Sequence, residues 1–318
     1  MIKFLPMSAR ILIFVQELKK FLPMRMSFLS VKEFALKHNV SERTIRNYCA
    51  NGKIVGAFLT GKTWNIPNDA ELPSRKKSRK MRLPDILQEQ MDAKLKGGIY
   101  HRIQVDLTYN SNHIEGSRLS HDQTRYIFET NTIGQCNEII NVDDIIETTN
   151  HFRCIDLIIV NVNKKISERF IKELHRILKS NTLQGSKEWF AVGVYKRLPN
   201  EVGGEDTTAP EDVKNEMSNL LNKYNSIKTK TFDDILDFHC QFEKIHPFQD
   251  GNGRIGRLLM FKECLANGIV PFIISDELKY FYYRGLQNWP TLKEYLRDTC
   301  LSAQDDFKLI LDTFRIDY

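Results

Sequence analysis

The 318-residue sequence has no C-x-x-C pair, no histidine–cysteine cluster at zinc-finger spacing and no long apolar run. Without the first two there is no structural zinc site or dithiol redox centre to read. Cys49, Cys136, Cys154, Cys240, Cys264 and Cys300 are then expected as reduced core thiols of a cytoplasmic protein. The early apolar run Ile11 to Val15 ends at Gln16 and Glu17, too short for a membrane span or the core of a signal peptide. Long internal repeats are missing too, and the net charge of +6 is local. Arg75, Lys76, Lys77, Arg79, Lys80 and Arg82 equal the whole excess, so the basic balance says little about the rest of the chain.

The length suits about two domains, and the punctuation agrees. Pro67, Pro73 and Pro84 bracket the basic run. Upstream, Lys3-Phe4-Leu5-Pro6-Met7 reappears as Lys20-Phe21-Leu22-Pro23-Met24, which points to a misassigned start with translation from Met24 or Met26. The expected organisation is a leader over 1–25, a small module over 26–72, a basic linker over 73–84 and a helical domain over 85–318.

The densest chemistry lies in His246-Pro247-Phe248-Gln249-Asp250-Gly251-Asn252-Gly253-Arg254-Ile255-Gly256-Arg257. Gly251 and Gly253 let backbone N–H groups converge on an anion, and a following helix adds its positive end. Arg254 and Arg257 are three apart, so on that helix they share a face and can fork onto phosphate oxygens. Asp250 is a hard oxygen ligand of the kind Mg²⁺ takes, and His246 is the group that exchanges a proton near neutral pH. Gly251 to Gly256 also fits the dinucleotide fingerprint G-x-G-x-x-G, but that motif needs a strand before it. Ile235, Phe238, Phe242 and Ile245 fall at helical spacing instead, so a helix–loop–helix anion site is predicted.

This stretch resembles the signature of the Fic family, H-P-F-x-[D/E]-G-N-G-R-x-x-R, at every position. The resemblance implies a mainly α fold: an all-helical core with a β-hairpin flap, acting as a protein adenylyltransferase that uses ATP and Mg²⁺. It implies His246 as general base, Asp250 as the Mg²⁺ ligand, Gly251, Asn252 and Gly253 as the anion nest, and Arg254 and Arg257 on the β- and γ-phosphates. Ser111-Asn112-His113-Ile114-Glu115-Gly116 resembles the family's inhibitory motif, [S/T]-x-x-x-E-[G/N]. Ser111 and Glu115 lie one helical turn apart. The resemblance makes Glu115 the partner of Arg257, in the space the γ-phosphate needs.

Trp189 to Gly204 breaks the helical rhythm. Ala191 to Arg197 is β-prone and takes the place of the family's flap, with Val194, Tyr195, Lys196 and Arg197 expected to dock an extended target segment. Tyr282 or Tyr283, in an aromatic run, is expected beside the adenine, while Trp289, Tyr295, Leu296, Leu301 and Phe307 extend the core.

At the front, Ser30 and Glu33 form a capping box opening one short helix, and Ser41 caps a second that Gly52 closes. Ile54 to Phe58 and Trp64 to Pro67 read as a hairpin around Gly61. The whole is similar to the winged helix-turn-helix domain of excisionase and MerR-type regulators. That similarity implies DNA as a partner, with Arg43, Thr44, Arg46 and Asn47 on the face toward the major groove. The other partner is a protein bearing an acceptor Tyr, Ser or Thr hydroxyl; a homodimer is left open and no membrane is expected. Two alternatives stand beside this reading: a nucleotide-sensing, DNA-binding regulator, and an enzyme that removes AMP.

Overall fold

The computed structural model describes residues 27–73, 81–134, 139–289 and 291–318. The duplicated pentapeptide, the leader, Met26, Cys136 and the basic run from Arg75 to Lys80 lie outside them. The chain divides into two compact units after Arg79.

The smaller unit opens with strand β1 (Phe28–Leu29). Helices α1 (Val31–Lys37) and α2 (Glu42–Ala50) follow, then strands β2 (Phe58–Thr60) and β3 (Thr63–Pro67). The Ser30 hydroxyl accepts from Glu33 N–H and the Glu33 side chain reaches back, as the capping box predicts. Ser41 caps α2 through Thr44 N–H. Val31, Phe34, Ala35, Ile45, Cys49, Ile54 and Ile66 make a single core. The hairpin pairs Leu59 with Trp64 around Gly61, and β1 adds a third antiparallel strand through Leu29 and Ile66. One expectation is corrected: Ile54 to Ala57 turns instead of extending, because Ile54 plugs the core under α2 and Gly56 takes a left-handed φ of 79° against Pro67.

The larger unit is helical: α3 (Leu83–Asp92), α4 (Ile99–Ile114), α5 (His121–Thr130), α6 (Val142–Val160), α7 (Glu168–Leu178), α8 (Val213–Ser226), α9 (Phe232–Ile245), α10 (Asn252–Asn267), α11 (Lys279–Asn288) and α12 (Lys293–Thr313). A hairpin, β4 (Glu201–Val202) with β5 (Glu205–Asp206), precedes α8. Helix α10 runs through the centre. It is buried nearly all round, from Asn252 to Leu265, and packs on α9, α6, α4 and α7. A helix so enclosed shows no polar stripe. Its charged residues therefore have to find partners inside the protein.

Helix α9 starts at a capping box formed by Thr231 and Asp234 and buries Ile235, Phe238, Phe242 and Ile245, the predicted stripe. Each such side chain contributes about 1.5–3 kcal/mol by leaving water. The preceding element is thus a helix, and the dinucleotide reading fails on its first requirement.

Two readings of the larger unit change. Residues 191–197 form no strand: the backbone turns, Tyr195 and Lys196 are buried, and Lys196 N–H donates to Pro247 O at 2.8 Å. The hairpin lies further on, about Gly203 and Gly204, whose φ values of 61° and 85° suit the turn. Tyr195, its ring 5.7 Å from that of Phe248, and Lys196 therefore brace the signature loop, while Val194 and Arg197 are exposed, and none of the four lies in a strand. In α12, Leu296 and Phe307 are buried as expected, but Tyr295 and Leu301 face outward.

Candidate active site

The site is a loop clamped between two helices. Helix α9 ends at His246, which takes a left-handed backbone (φ 50°, ψ 62°) and turns the chain out of the helix. Gly251 then re-enters at φ 83° as the cap of α10 and adds no side-chain cap to the first N–H groups. Those uncapped groups carry the helix's partial positive charge and need an acceptor. Asn252 bridges the loop within itself: Phe248 N–H donates to its Oδ1 at 2.8 Å and its Nδ2 donates to Phe248 O at 2.8 Å. Its side chain shapes the loop, and only its backbone N–H remains for an anion.

The floor comes from α7. His175 stacks on Phe248 with ring centroids 4.0 Å apart. Its Nδ1 accepts from Gly193 N–H at 2.8 Å, and its Nε2 lies 3.2 Å from Asp250 O. Burial holds this imidazole neutral, its pKa drawn down to about 3. A histidine given no function by its sequence neighbours thus supports both the loop and the brace.

His246 Nδ1 is 3.2 Å from Glu243 O. With Nδ1–H donating there, Nε2 carries the lone pair, as a base requires. Burial lowers the His246 pKa, which favours that neutral form. Beneath it Glu243 is enclosed, with Oε2 3.8 Å from His246 Nδ1 and Oε1 3.9 Å from His239 Nδ1. Its burial pushes the carboxyl up to about 8.

The two arginines share a face of α10 but not their partners. Arg257 Nε donates to Ser111 Oγ at 3.0 Å, and Nη2 donates to Ser111 O at 2.9 Å and Glu115 Oε1 at 2.6 Å. Ser111 lies in the last turn of α4 and Glu115 is its C-cap residue, followed by Gly116 at φ 97°. The pairing of Glu115 with Arg257 is therefore present. Burial alone would raise the Glu115 carboxyl, but Arg257 and Arg254 outweigh it and lower it. A Cβ built on Gly253 would stand 2.3 Å from Glu115 Oε1, so the missing side chain makes room for that carboxylate.

Arg254 donates to Glu147 on α6 through Nη1 and to Asp250 Oδ2 through Nη2 at 3.3 Å. Lys179, the residue after α7, donates to the same Asp250 oxygen at 2.6 Å and to Glu147. Burial favours the protonated Asp250, yet Arg254 and Lys179 hold its pKa well below the usual carboxylate range. Arg254 Nε and Arg257 Nη1 are buried without a hydrogen-bond partner among the described residues. Surplus donors at an uncapped helix start fit an anionic ligand.

Tyr282 is corrected as an adenine neighbour. It is 1% exposed in a second core cluster, with His239 Nε2 and its hydroxyl 2.6 Å apart. Tyr283, 41% exposed, keeps an open ring. The sequence reading missed Glu147, Lys179 and the role of His175. One signal was available: His175 and Lys179 are four apart at the end of one helix, hence on one face.

Residues 165–264 match the Fic/DOC family. Over 188 residues, 56% of this chain, the sequence is 32% identical to the protein adenylyltransferase Fic of Aedes aegypti, covering 36% of that protein. It is 29% identical over 200 residues, 59% of this chain, to protein adenylyltransferase fic-1 of Caenorhabditis elegans, covering 37% of it. The chain thus spans little more than a third of these relatives' length. Among solved structures, a Fic-domain-containing signalling protein of Bacteroides thetaiotaomicron aligns with a TM-score of 0.54 at 25% identity, covering 73% of this chain and 92% of that one. Fic-1 of C. elegans aligns with a TM-score of 0.56 at 20% identity, covering 73% and 71%, which bears on the fold alone. With helix, signature loop and paired arginines in hand, the larger unit is similar to Fic/DOC family proteins over residues 165–264.

Proposed function

We propose that this chain is an autoinhibited protein adenylyltransferase, moving AMP from ATP to a Tyr, Ser or Thr hydroxyl of a target protein. The observation that carries the reading is the signature loop: uncapped N–H groups at the start of α10, two buried arginines and His246 with a free Nε2 converge there. In the reaction the target hydroxyl oxygen attacks the α-phosphorus in line and its proton passes to His246 Nε2. The bond to the bridging oxygen breaks and pyrophosphate leaves. Arg254, Arg257 and the N–H groups of Gly251, Asn252 and Gly253 hold the phosphates. Tyr283 flanks the adenine.

Asp250 fits a Mg²⁺ carried in on the nucleotide. Its carboxylate is ionised and 37% exposed. No group of three metal-binding side chains occurs among the described residues, so phosphate oxygens would supply the remaining ligands. When bound, the ion neutralises phosphate charge. Glu115 accounts for inhibition by competition: its carboxylate occupies Arg257 at the high effective concentration of an intramolecular partner.

The smaller unit is read as a winged helix-turn-helix that binds DNA. Arg43, Arg46 and Asn47 are exposed on α2, with Arg46 in an exposed pair with Glu42, and Thr44 lies at its capped start. The acceptor segment is read as pairing with the exposed hairpin β4–β5. On this reading the protein works in the cytoplasm; no helix among the described residues is long and apolar enough to cross a membrane.

Incubation with ATP labelled in the α-phosphate tests the activity: label is to appear on protein, whereas γ-phosphate label is not. Protein labelled from the γ-phosphate alone would overturn the adenylyltransferase reading. Arg43→Ala with Arg46→Ala is to weaken DNA in a gel shift without altering protein labelling.

A further inference from the structure

Four charged side chains beside the loop close into a ring. Lys179 bridges Glu147 and Asp250; Arg254 bridges the same two carboxylates from the other side. The ring joins four separate parts of the chain: α6, the end of α7, the loop and α10. It carries two positive and two negative charges, so it is neutral as a unit. Lys179 is only 1% exposed, and its Nζ also donates to Gln184 Oε1 at 2.8 Å. Glu147 lies in the second turn of α6 and is largely covered.

Such a ring is more than packing. A buried ion pair is costly to desolvate and gives little net stability over an apolar pair of the same volume. Its effect is on position and charge. Arg254 is held by Glu147 through one nitrogen and by Asp250 through another, which fixes the guanidinium plane. Asp250 Oδ2 already takes two cationic donors before any ligand arrives. A cation approaching that carboxylate meets the Lys179 ammonium beside it. A phosphate approaching Arg254 meets the Glu147 carboxylate behind it.

We propose that Lys179 and Glu147 are positioning residues that set the charge of the phosphate seat, and so the balance between metal affinity and nucleotide affinity. The proposal rests on the adenylyltransferase reading and extends it beyond the signature. Lys179 restrains metal binding at Asp250 and Glu147 restrains phosphate binding at Arg254. Removing either unbalances the ring by one unit, in opposite directions.

The test uses the full chain with Lys179→Met, Glu147→Gln and the charge-keeping Lys179→Arg. Mn²⁺ binding is followed by electron paramagnetic resonance with α,β-methylene ATP. Binding of metal-free nucleotide in chelator is followed by calorimetry. Lys179→Met is to tighten Mn²⁺ and weaken metal-free nucleotide, each by about tenfold, the size of one nearby unit charge after screening. Glu147→Gln is to do the reverse, and Lys179→Arg is to stay within about threefold of the parent, since the charge is unchanged. Both uncharged variants shifting the same way, or neither shifting, would mean a merely structural ring and overturn the proposal. A parent protein that binds neither nucleotide nor Mn²⁺ with nucleotide overturns the adenylyltransferase reading along with it. Should Lys179→Met fail to fold, the opposite shifts demanded of Glu147→Gln decide alone.

Discussion

Glu115→Gly is the perturbation that separates a latch from an ornament. The carboxylate is one of three acceptors around Arg257; the other two, Ser111 Oγ and Ser111 O, remain when it is removed. The guanidinium therefore stays aimed while Nη2 regains a donor position beside the already unpartnered Nη1. A charge-assisted hydrogen bond contributes about 1.5–3 kcal/mol. Glu115 is 29% exposed, so water offsets part of this, and the lower half of that range applies. ATP no longer has to displace the carboxylate, so its affinity is to rise about tenfold, and labelling with it. Stability is to move the other way. Arg257 loses its nearest counter-charge while remaining buried, so the melting temperature falls by a few degrees. Saturating nucleotide restores it by resupplying an anion. Calorimetry with ATP, transfer of α-label and thermal melts with and without nucleotide make the assay. Unchanged ATP affinity and unchanged labelling would refute the competition argument, even if the melting temperature dropped.

His246→Ala is to abolish label transfer while leaving ATP affinity within about threefold, because the imidazole handles the proton and not the phosphates; a large loss of ATP affinity in calorimetry would contradict its assignment. Gly251→Ala places a side chain at φ 83° and 3.3 Å from Leu178 Cδ2, and is to cost about 1–2 kcal/mol in urea unfolding and to weaken nucleotide binding. Acid is to destabilise the protein. His151, His175 and His239 are buried with pKa values near 3, against about 6.5 unfolded, so the unfolded chain binds more protons between these values. Their contribution is complete above pH 6.5 and is lost as pH falls toward 3. Glu243, raised to about 8, acts in the opposite sense between pH 8 and 4.5. Between pH 7.5 and 4.5 three buried imidazoles oppose one buried carboxyl, so the expected direction is a net loss of stability on acidification. Urea titrations at the two pH values measure it, and an unfolding free energy unchanged between them would contradict the burial of neutral imidazoles.

Much of the site was legible because its chemistry is local. From His246 to Arg257, spacing alone places a turn, a helix start and two arginines on one face, and the stripe of α9 shows what precedes them. Glu115 was legible through its motif, although Arg257 lies 142 residues away. Glu147 and Lys179 were not. They join Asp250 in one ring only because α6 and α7 pack around α10; the spacing of Lys179 from His175 hints at a shared face, but nothing near Glu147 announces its part. The misplaced flap has a different cause. Val192, Val194 and Tyr195 have strand propensity, but the turn at Gly193, φ 75°, and the Lys196 bond to Pro247 override it. Tyr282 fell to the same ambiguity: an aromatic run does not say which ring faces in, and the bond to His239 decides it.

The bare patch at Gly253 is already filled in the resting molecule, by an oxygen of the protein's own Glu115. If the proposed mechanism holds, an incoming phosphate oxygen exchanges one guest for another of the same sign, and Arg257 need never face a vacuum. On the proposed mechanism, activation then amounts to a swap of tenants, with no rebuilding of the room.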